Sequence, residues 1–266
     1  MVRQLSQAIA RRPALRAGRL SFVLGLGLLL AACAGGQNYT WGWYVISPLL
    51  PKGQSNLGFL ASGLWATLAI SAAALAVSIP LGAVIGMAGA SSIKPLKVAN
   101  RIYVELVRAV PGLVLVLWVY YGLPVVFGIE LGVFAAGVIA LGLSDSAFQA
   151  EIFRAGIQSI DRGQIDGAYS VGLTRLQTMR FIVLPQALRR ILPALGNQFV
   201  YMLKMSSILS IIGYQELTRR ANELVVTEYR PLEIYTFLVV EYLLLILAAS
   251  WLMRWIEAKL NKPFVK

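Results

Sequence analysis

The sequence predicts an all-α integral membrane protein with about six transmembrane helices and a polar helix–Gly–helix between the fourth and fifth. Three observations carry this. Of the 266 residues, 58% are hydrophobic and only 14% charged, and the mean hydropathy is +0.70. No charged residue occurs from Leu20 to Pro51, from Gly53 to Ile93 or from Ala109 to Ile129, and about 20 apolar residues suffice to cross a bilayer. Amid these runs the stretch DGAYSVGLTRLQTMRFIVLP, Asp166 to Pro185, is polar and punctuated by glycine.

The spans fall at roughly 20–36, 57–90, 103–127, 131–150, 194–213 and 234–256. The second is too long for one straight crossing, so its start is expected to lie along the outer surface. Lys and Arg set the orientation. With the N-terminus cytoplasmic, the inner segments hold 19 of the 24 basic residues. The outer segments hold Lys52, Arg219, Arg220 and Arg230, and Lys204 lies inside a span. The net charge of +12 therefore belongs mainly to cytoplasmic loops beside an anionic leaflet, and a nucleic-acid surface is not needed to explain it.

Histidine is absent and Cys33 is the single cysteine. These counts exclude an internal disulfide, a Cys/His zinc site and a catalytic histidine. No GxxxxGK[ST] phosphate loop occurs, so this chain does not hold ATP in that way.

Around the first span, a basic tail, the apolar FVLGLGLLL and LAAC ending at Cys33 admit two readings. One is a lipoprotein signal whose cleavage leaves a lipid-modified Cys33 outside. The other is an ordinary short span, with the chain uncleaved and its N-terminus cytoplasmic. The stretch NYTWGWY, Asn38 to Tyr44, suits an outer aromatic belt or a packed outer loop. In span two, Ser78, Gly82, Gly86 and Ala90 recur every four residues and predict a close helix–helix seam. Pro80 and Pro111-Gly112 are expected to bend spans two and three. Glu105 with Arg108 and Glu151 with Arg154 are spaced as i,i+3 pairs.

In the central polar stretch two helix starts are legible. Asp161 with Gln164 fits a capping pattern, and Thr174 with Gln177 fits a capping box. Gly172 suits the left-handed residue that ends the first helix. Pro185 is expected to stop or bend the second at Leu184. DNA-reading helix–turn–helix units share this local plan. Here, however, both ends are tethered by spans, and Gly167, Ala168, Val171 and Gly172 present small or apolar surface.

The stretch resembles the EAA loop of ABC-type importer permeases: Glu-Ala-Ala, three residues, Gly, nine residues, then Ile-x-Leu-Pro. Asp166, Gly167 and Ala168 fill the triplet with two conservative departures, and Gly172, Ile182, Leu184 and Pro185 fall in register. The flanks AEIFRAGIQSI (150–160), LPQALRRILPALGNQF (184–199) and ELTRRA (216–221) resemble the polar amino acid uptake family. The resemblance covers about 56–260. It implies a five-helix permease core there, preceded by a basic tail, first span and outer aromatic loop (1–55) and followed by a cytoplasmic tail (261–266). It further implies a multi-pass protein of the bacterial plasma (inner) membrane with both termini cytoplasmic.

The same resemblance implies that residues 161–185 form a coupling helix seated in a groove of a separate ATPase, with Arg162, Asp166, Gly167, Ala168, Gly172 and Arg175 at the contact. Gly167, where the family has alanine, loosens that helix by roughly 0.5–1 kcal/mol. ATP and Mg then belong to the ATPase and this chain is not itself an enzyme. The implied partners are a second permease chain, identical or paralogous, ATPase subunits, an extracytoplasmic substrate-binding protein and membrane lipid, with no nucleic acid.

Spans four, five and six each carry one charge: Asp145, Lys204 and Glu241. Each costs about 2.5–3.5 kcal/mol near a bilayer centre, so they predict mutual pairing or a wet substrate path. Asp145 and Lys204 lie roughly 9 and 15 Å from the inner side and share a level, while Glu241 lies roughly 10 Å from the outer side. Chains of the family commonly read Leu-Lys-Asp-Thr-Ser where this one has Leu203 to Ser207, LKMSS. They also commonly have Asn-Ser at Ser144-Asp145. Asp145 is therefore expected to be a relocated partner of Lys204, either as a bridge between two spans or as a pair that opens onto a substrate carboxylate and ammonium. The same intramembrane charges also suit a secondary transporter driven by an ion gradient.

Overall fold

A computed structural model describes residues 39–260 of the chain. The first expected span, Cys33 and the tail 261–266 lie outside these residues. At the start, Tyr39 packs edge-on against Trp41, ring centroids 5.2 Å apart, and Trp41 is well exposed.

A short 3-10 turn, Trp43–Ile46, leads into α1, Pro51–Ala90. Next come α2, Lys94–Ala109, and α3, Gly112–Phe127, which is interrupted by a π-turn at Trp118–Gly122. Helix α4 is Val133–Gln158, α5 is Arg162–Ser170 and α6 is Arg175–Thr178. A second π-turn, Met179–Val183, joins α6 to α7, Leu184–Met205, which continues as a 3-10 segment, Ser206–Ile212. The order closes with α8, Leu217–Glu228, and α9, Pro231–Leu260.

Among the described residues three helices, α1, α4 and α9, are long and apolar enough to cross a membrane, and α2 with α3 makes a fourth if that bent pair is one span. They are not equivalent: 56% of the most apolar window of α4 is buried, against 6% for α9. Helix α4 is thus the central post and α9 a peripheral one, mostly uncovered by the rest of the chain. The seam between α1 and α4 depends on small residues. A Cβ at Gly82 would lie 2.3 Å from the Cβ of Gln149, and one at Gly86 would lie 2.5 Å from the Ala150 carbonyl oxygen. The predicted four-residue stripe is a packing seam, as expected.

The start of α1 corrects one expectation. The helix is unbroken for 40 residues, passing through Pro80, and at 1.5 Å per residue reaches about 60 Å. Its first turns do not peel off along a surface. Leu60 is packed with Val45, Leu217, Ala221, Leu224, Ile234 and Leu238. Lys52 pairs with Glu228 at 2.6 Å, and Asn56 Nδ2 donates to the Val45 carbonyl at 2.8 Å. Helix α8 and the Trp43–Ile46 turn therefore pack against the extra length and keep it within the bundle.

Span three also differs. The chain turns by 91° between α2 and α3, so the expected bend at Pro111-Gly112 is present but only Gly112–Phe127 continues the crossing. Helix α2 lies athwart it, touching its neighbours through the buried Asn100 and Val104. Asn100 Nδ2 donates to the Ile85 carbonyl at 2.9 Å, and Tyr103 and Ser146 share a 2.6 Å hydroxyl bond. On α2, Glu105 pairs with Arg101 at 2.7 Å rather than with Arg108; Arg108 instead lies over the Phe148 ring, 4.8 Å from its centroid. The Arg108 side chain has a cross-helix aromatic partner that i,i+3 spacing does not reveal. Glu151 and Arg154 pair at 2.7 Å as expected.

Pro185 does not stop its helix. The Leu184 N–H donates five residues back, to Met179 O, and α7 runs on from there. At Pro124 the same device recurs, with Leu123 N–H donating to Trp118 O. A proline ring crowds the carbonyl four residues earlier, and one widened π-turn before it relieves the crowding without ending the helix.

Candidate functional site

Between α4 and α7 the chain leaves the bundle for residues 159–183. Asp161 caps α5, its Oδ1 accepting from Gly163 N–H at 2.7 Å. The helix ends at Gly172, φ +82°, where Gly172 N–H bonds to Tyr169 O at 3.0 Å and Leu173 N–H to Ala168 O at 3.1 Å. This is a Schellman closure, and the left-handed residue at its centre explains the glycine. Thr174 and Gln177 complete the capping box of α6. Beneath the loop lie Ile157, Ile160, Val183, Ala187 and Ile191, and the Arg190 guanidinium donates to the Ser159 carbonyl, tying the loop's two roots together.

Of the sequence-predicted contact residues, Arg162, Asp166, Gly167, Gly172 and Arg175 are exposed. Ala168 is not: at 5% exposure it faces the protein, because it lies on the packed side of a short amphipathic helix. The outer surface is instead apolar. Tyr169, Val171, Leu176 and Phe181 are exposed by 45, 77, 78 and 61%. The sequence signal for them was present, since large apolar residues in an otherwise polar loop need a cover.

Within the bundle, Asp145 is 2% exposed and fully occupied. Its Oδ2 accepts from Ser78 Oγ at 2.6 Å and Gln149 Nε2 at 2.9 Å, and its Oδ1 accepts from Gln198 Nε2 at 2.6 Å. These donors come from α1, α4 and α7. Gln149 Oε1 remains buried without a partner. The expected Asp145–Lys204 bridge is therefore not formed, because three neutral donors satisfy the carboxylate in place of a lysine.

Lys204 is exposed at the mouth of an open groove of about 510 Å³, lined by Ser207, Thr218, Val239, Tyr242 and Leu243. Among the described residues no carboxylate lines this groove. Behind it Glu216, wholly buried, accepts from Thr218 N–H at 2.9 Å, Arg219 N–H at 2.7 Å and Tyr242 Oη–H at 3.0 Å. One carboxylate oxygen of Glu241 is buried without a partner. Among the described residues no ion pair joins Asp145, Lys204 and Glu241 to one another.

A family profile described as the binding-protein-dependent transport system inner membrane component matches residues 78–262. The chain belongs to this family. It is similar to the probable glutamine ABC transporter permease protein GlnM of Bacillus subtilis, 37% identical over 209 residues, covering 79% of this chain and 96% of the relative. It is also similar to the glutamine transport system permease protein GlnP of Escherichia coli, 33% identical over 220 residues, covering 82% and 97%. Among solved structures, a crystal structure of an amino acid ABC transporter with histidines superposes with a TM-score of 0.75 at 38% identity, covering 83% of this chain and all of that one. A methionine ABC transporter in an inward-facing conformation, 20% identical with a TM-score of 0.66, shares the fold. The chain is thus an integral inner-membrane permease component, which accords with its apolar helices, and its family works with a binding protein.

Proposed function

We propose that this permease is the translocation subunit of an ATP-driven importer that carries a polar amino acid into the bacterial cytoplasm. The substrate class rests on relatives named for glutamine and on the neighbour named for amino acids. In this reading both chain termini are cytoplasmic, a second permease chain completes the pathway, an external binding protein delivers the substrate, and ATP with its magnesium ion resides on a partner ATPase.

The observation that carries the coupling role is the exposed surface of 161–183: Tyr169, Val171 and Leu176 bare, with Arg162, Asp166 and Arg175 around them. Such a patch on a loop rooted in two spans suits a cleft in a protein partner. Within the bundle, Lys204 is the member of the expected pair left without a carboxylate, and it suits a substrate carboxylate. Asp145 acts as the fastening of the three helices that flank the path. Glu241 stands on the neighbouring α9 as a second, separate charge.

Proteoliposomes holding this chain, its ATPase and its binding protein test the reading. Uptake of labelled glutamine or another polar amino acid is expected only with internal ATP and binding protein. Uptake driven by an imposed ion gradient without ATP would instead support a secondary transporter.

A further inference from the structure

Helix α2 is unlike every other helix of the bundle. Almost all of it is exposed, and Asn100 and Val104 alone are buried. Leu96, Val98, Ile102 and Leu106 are bare by 40, 56, 52 and 64%. At 3.6 residues per turn, Lys97, Arg101 and Arg108 fall within a sector of about 40°, and Ile102 and Leu106 lie roughly 140° away. The helix stands at 91° to α3, so where α3 crosses the bilayer α2 lies along its surface. Between the basic sector and the end of α4 is a crevice of about 470 Å³, lined in part by Lys97, Arg101, Arg108 and Arg154. Its two carboxylates, Glu105 and Glu151, are each paired with an arginine. Lys97 and Arg108 make no ion pair among the described residues.

We propose that α2 is an interfacial helix that holds an anionic phospholipid of the inner leaflet. Ile102 and Leu106 sink among the acyl chains, and Lys97 and Arg108, the cations of the opposite face without a carboxylate partner, reach to the headgroup phosphate, as long basic side chains do at a membrane surface. An aqueous location leaves four aliphatic side chains in water. A purely apolar location strands the basic sector. The interface satisfies both, and it places the positive crevice where the leaflet is negative. The proposal rests on the orientation given under Proposed function.

The test uses the full chain in nanodiscs of phosphatidylcholine with phosphatidylglycerol, its bound lipid read by native mass spectrometry. The wild-type chain is expected to retain phosphatidylglycerol preferentially. The Lys97→Gln, Arg108→Gln double variant should lose that preference more than about tenfold, since each basic residue at an anionic surface contributes about fivefold. Arg254→Gln, at the inner end of α9, should keep it. An unchanged preference in the double variant, or an equal loss in Arg254→Gln, would overturn the site. So would displacement of the lipid by inorganic phosphate, which assigns the crevice to a soluble anion, or its stripping by added ATPase, which assigns the crevice to a protein. Orientation is read separately by labelling Lys97→Cys, in a Cys33→Ser background, with an impermeant maleimide in right-side-out vesicles. Labelling from outside would overturn the orientation and with it the inner-leaflet placement. Blocked labelling with no lipid preference would overturn the lipid site alone.

Discussion

Asp145 and Lys204 share a level of the membrane by sequence, and their surroundings differ completely. Asp145 is closed in by three helices and satisfied by Ser78, Gln149 and Gln198. Lys204 stands exposed on an open groove with hydroxyls and aliphatic walls. Neutral amides and a hydroxyl satisfy a buried carboxylate as fully as a lysine does, and they leave the lysine free for another anion. Charge in a span is thus two separate facts: where it is fastened, and where it is available.

The contrast breaks most sharply at the fastening. Asp145→Leu removes the acceptor of three donors, each costing about 1–3 kcal/mol when left unpaired, so about 3 kcal/mol or more of stability is expected to go. Thermal unfolding of the purified chain reads it, and an unchanged midpoint would show that the three helices do not depend on Asp145. Gly82→Val drives a side chain against Gln149 Cβ, within the same knot. A loss of about 1–3 kcal/mol is expected, as for other overpacked cores, and free tolerance of valine would contradict the seam. Gly167→Ala acts in the other direction. An added Cβ there meets nothing within 4 Å, so α5 should gain about 0.5–1 kcal/mol, seen as slower proteolysis of the loop. Lys204→Met should leave unfolding within about 0.5 kcal/mol of wild type while uptake fails. The Asp145→Asn, Lys204→Met double variant sharpens the comparison: additive stability losses fit two unlinked groups, and strong coupling would restore the bridge.

Much of this was legible beforehand. The uncharged runs gave the membrane class, and the four-residue stripe of Ser78, Gly82, Gly86 and Ala90 gave the α1–α4 seam, because both are local patterns. The caps at Asp161 and Thr174 and the turn at Gly172 were legible for the same reason. What failed was partner choice across helices. Ser78 was read as packing only, and Gln149 and Gln198 were passed over, though uncharged polar residues in apolar spans need partners as charges do. Arg108 found an aromatic ring on α4 where spacing offered Glu105. Pro185 was read as a stop or a bend, and the π-turn that carries the helix through it was missed because it depends on hydrogen bonding that composition does not encode. Ala168 was placed outward because motif register says which residues matter, not which side of a helix is packed.

The loop is the most direct test of the account. Gly172→Pro cannot adopt the φ of +82° seen there, and Asp166→Lys reverses a charge beside the bare Tyr169 and Val171. With both variants inserted in the membrane at wild-type level, co-purification of the ATPase and ATP-driven uptake are measured together. The account predicts that both are lost or sharply reduced in each variant. Normal ATPase recovery with normal uptake would contradict the assignment of residues 161–185 as the coupling segment.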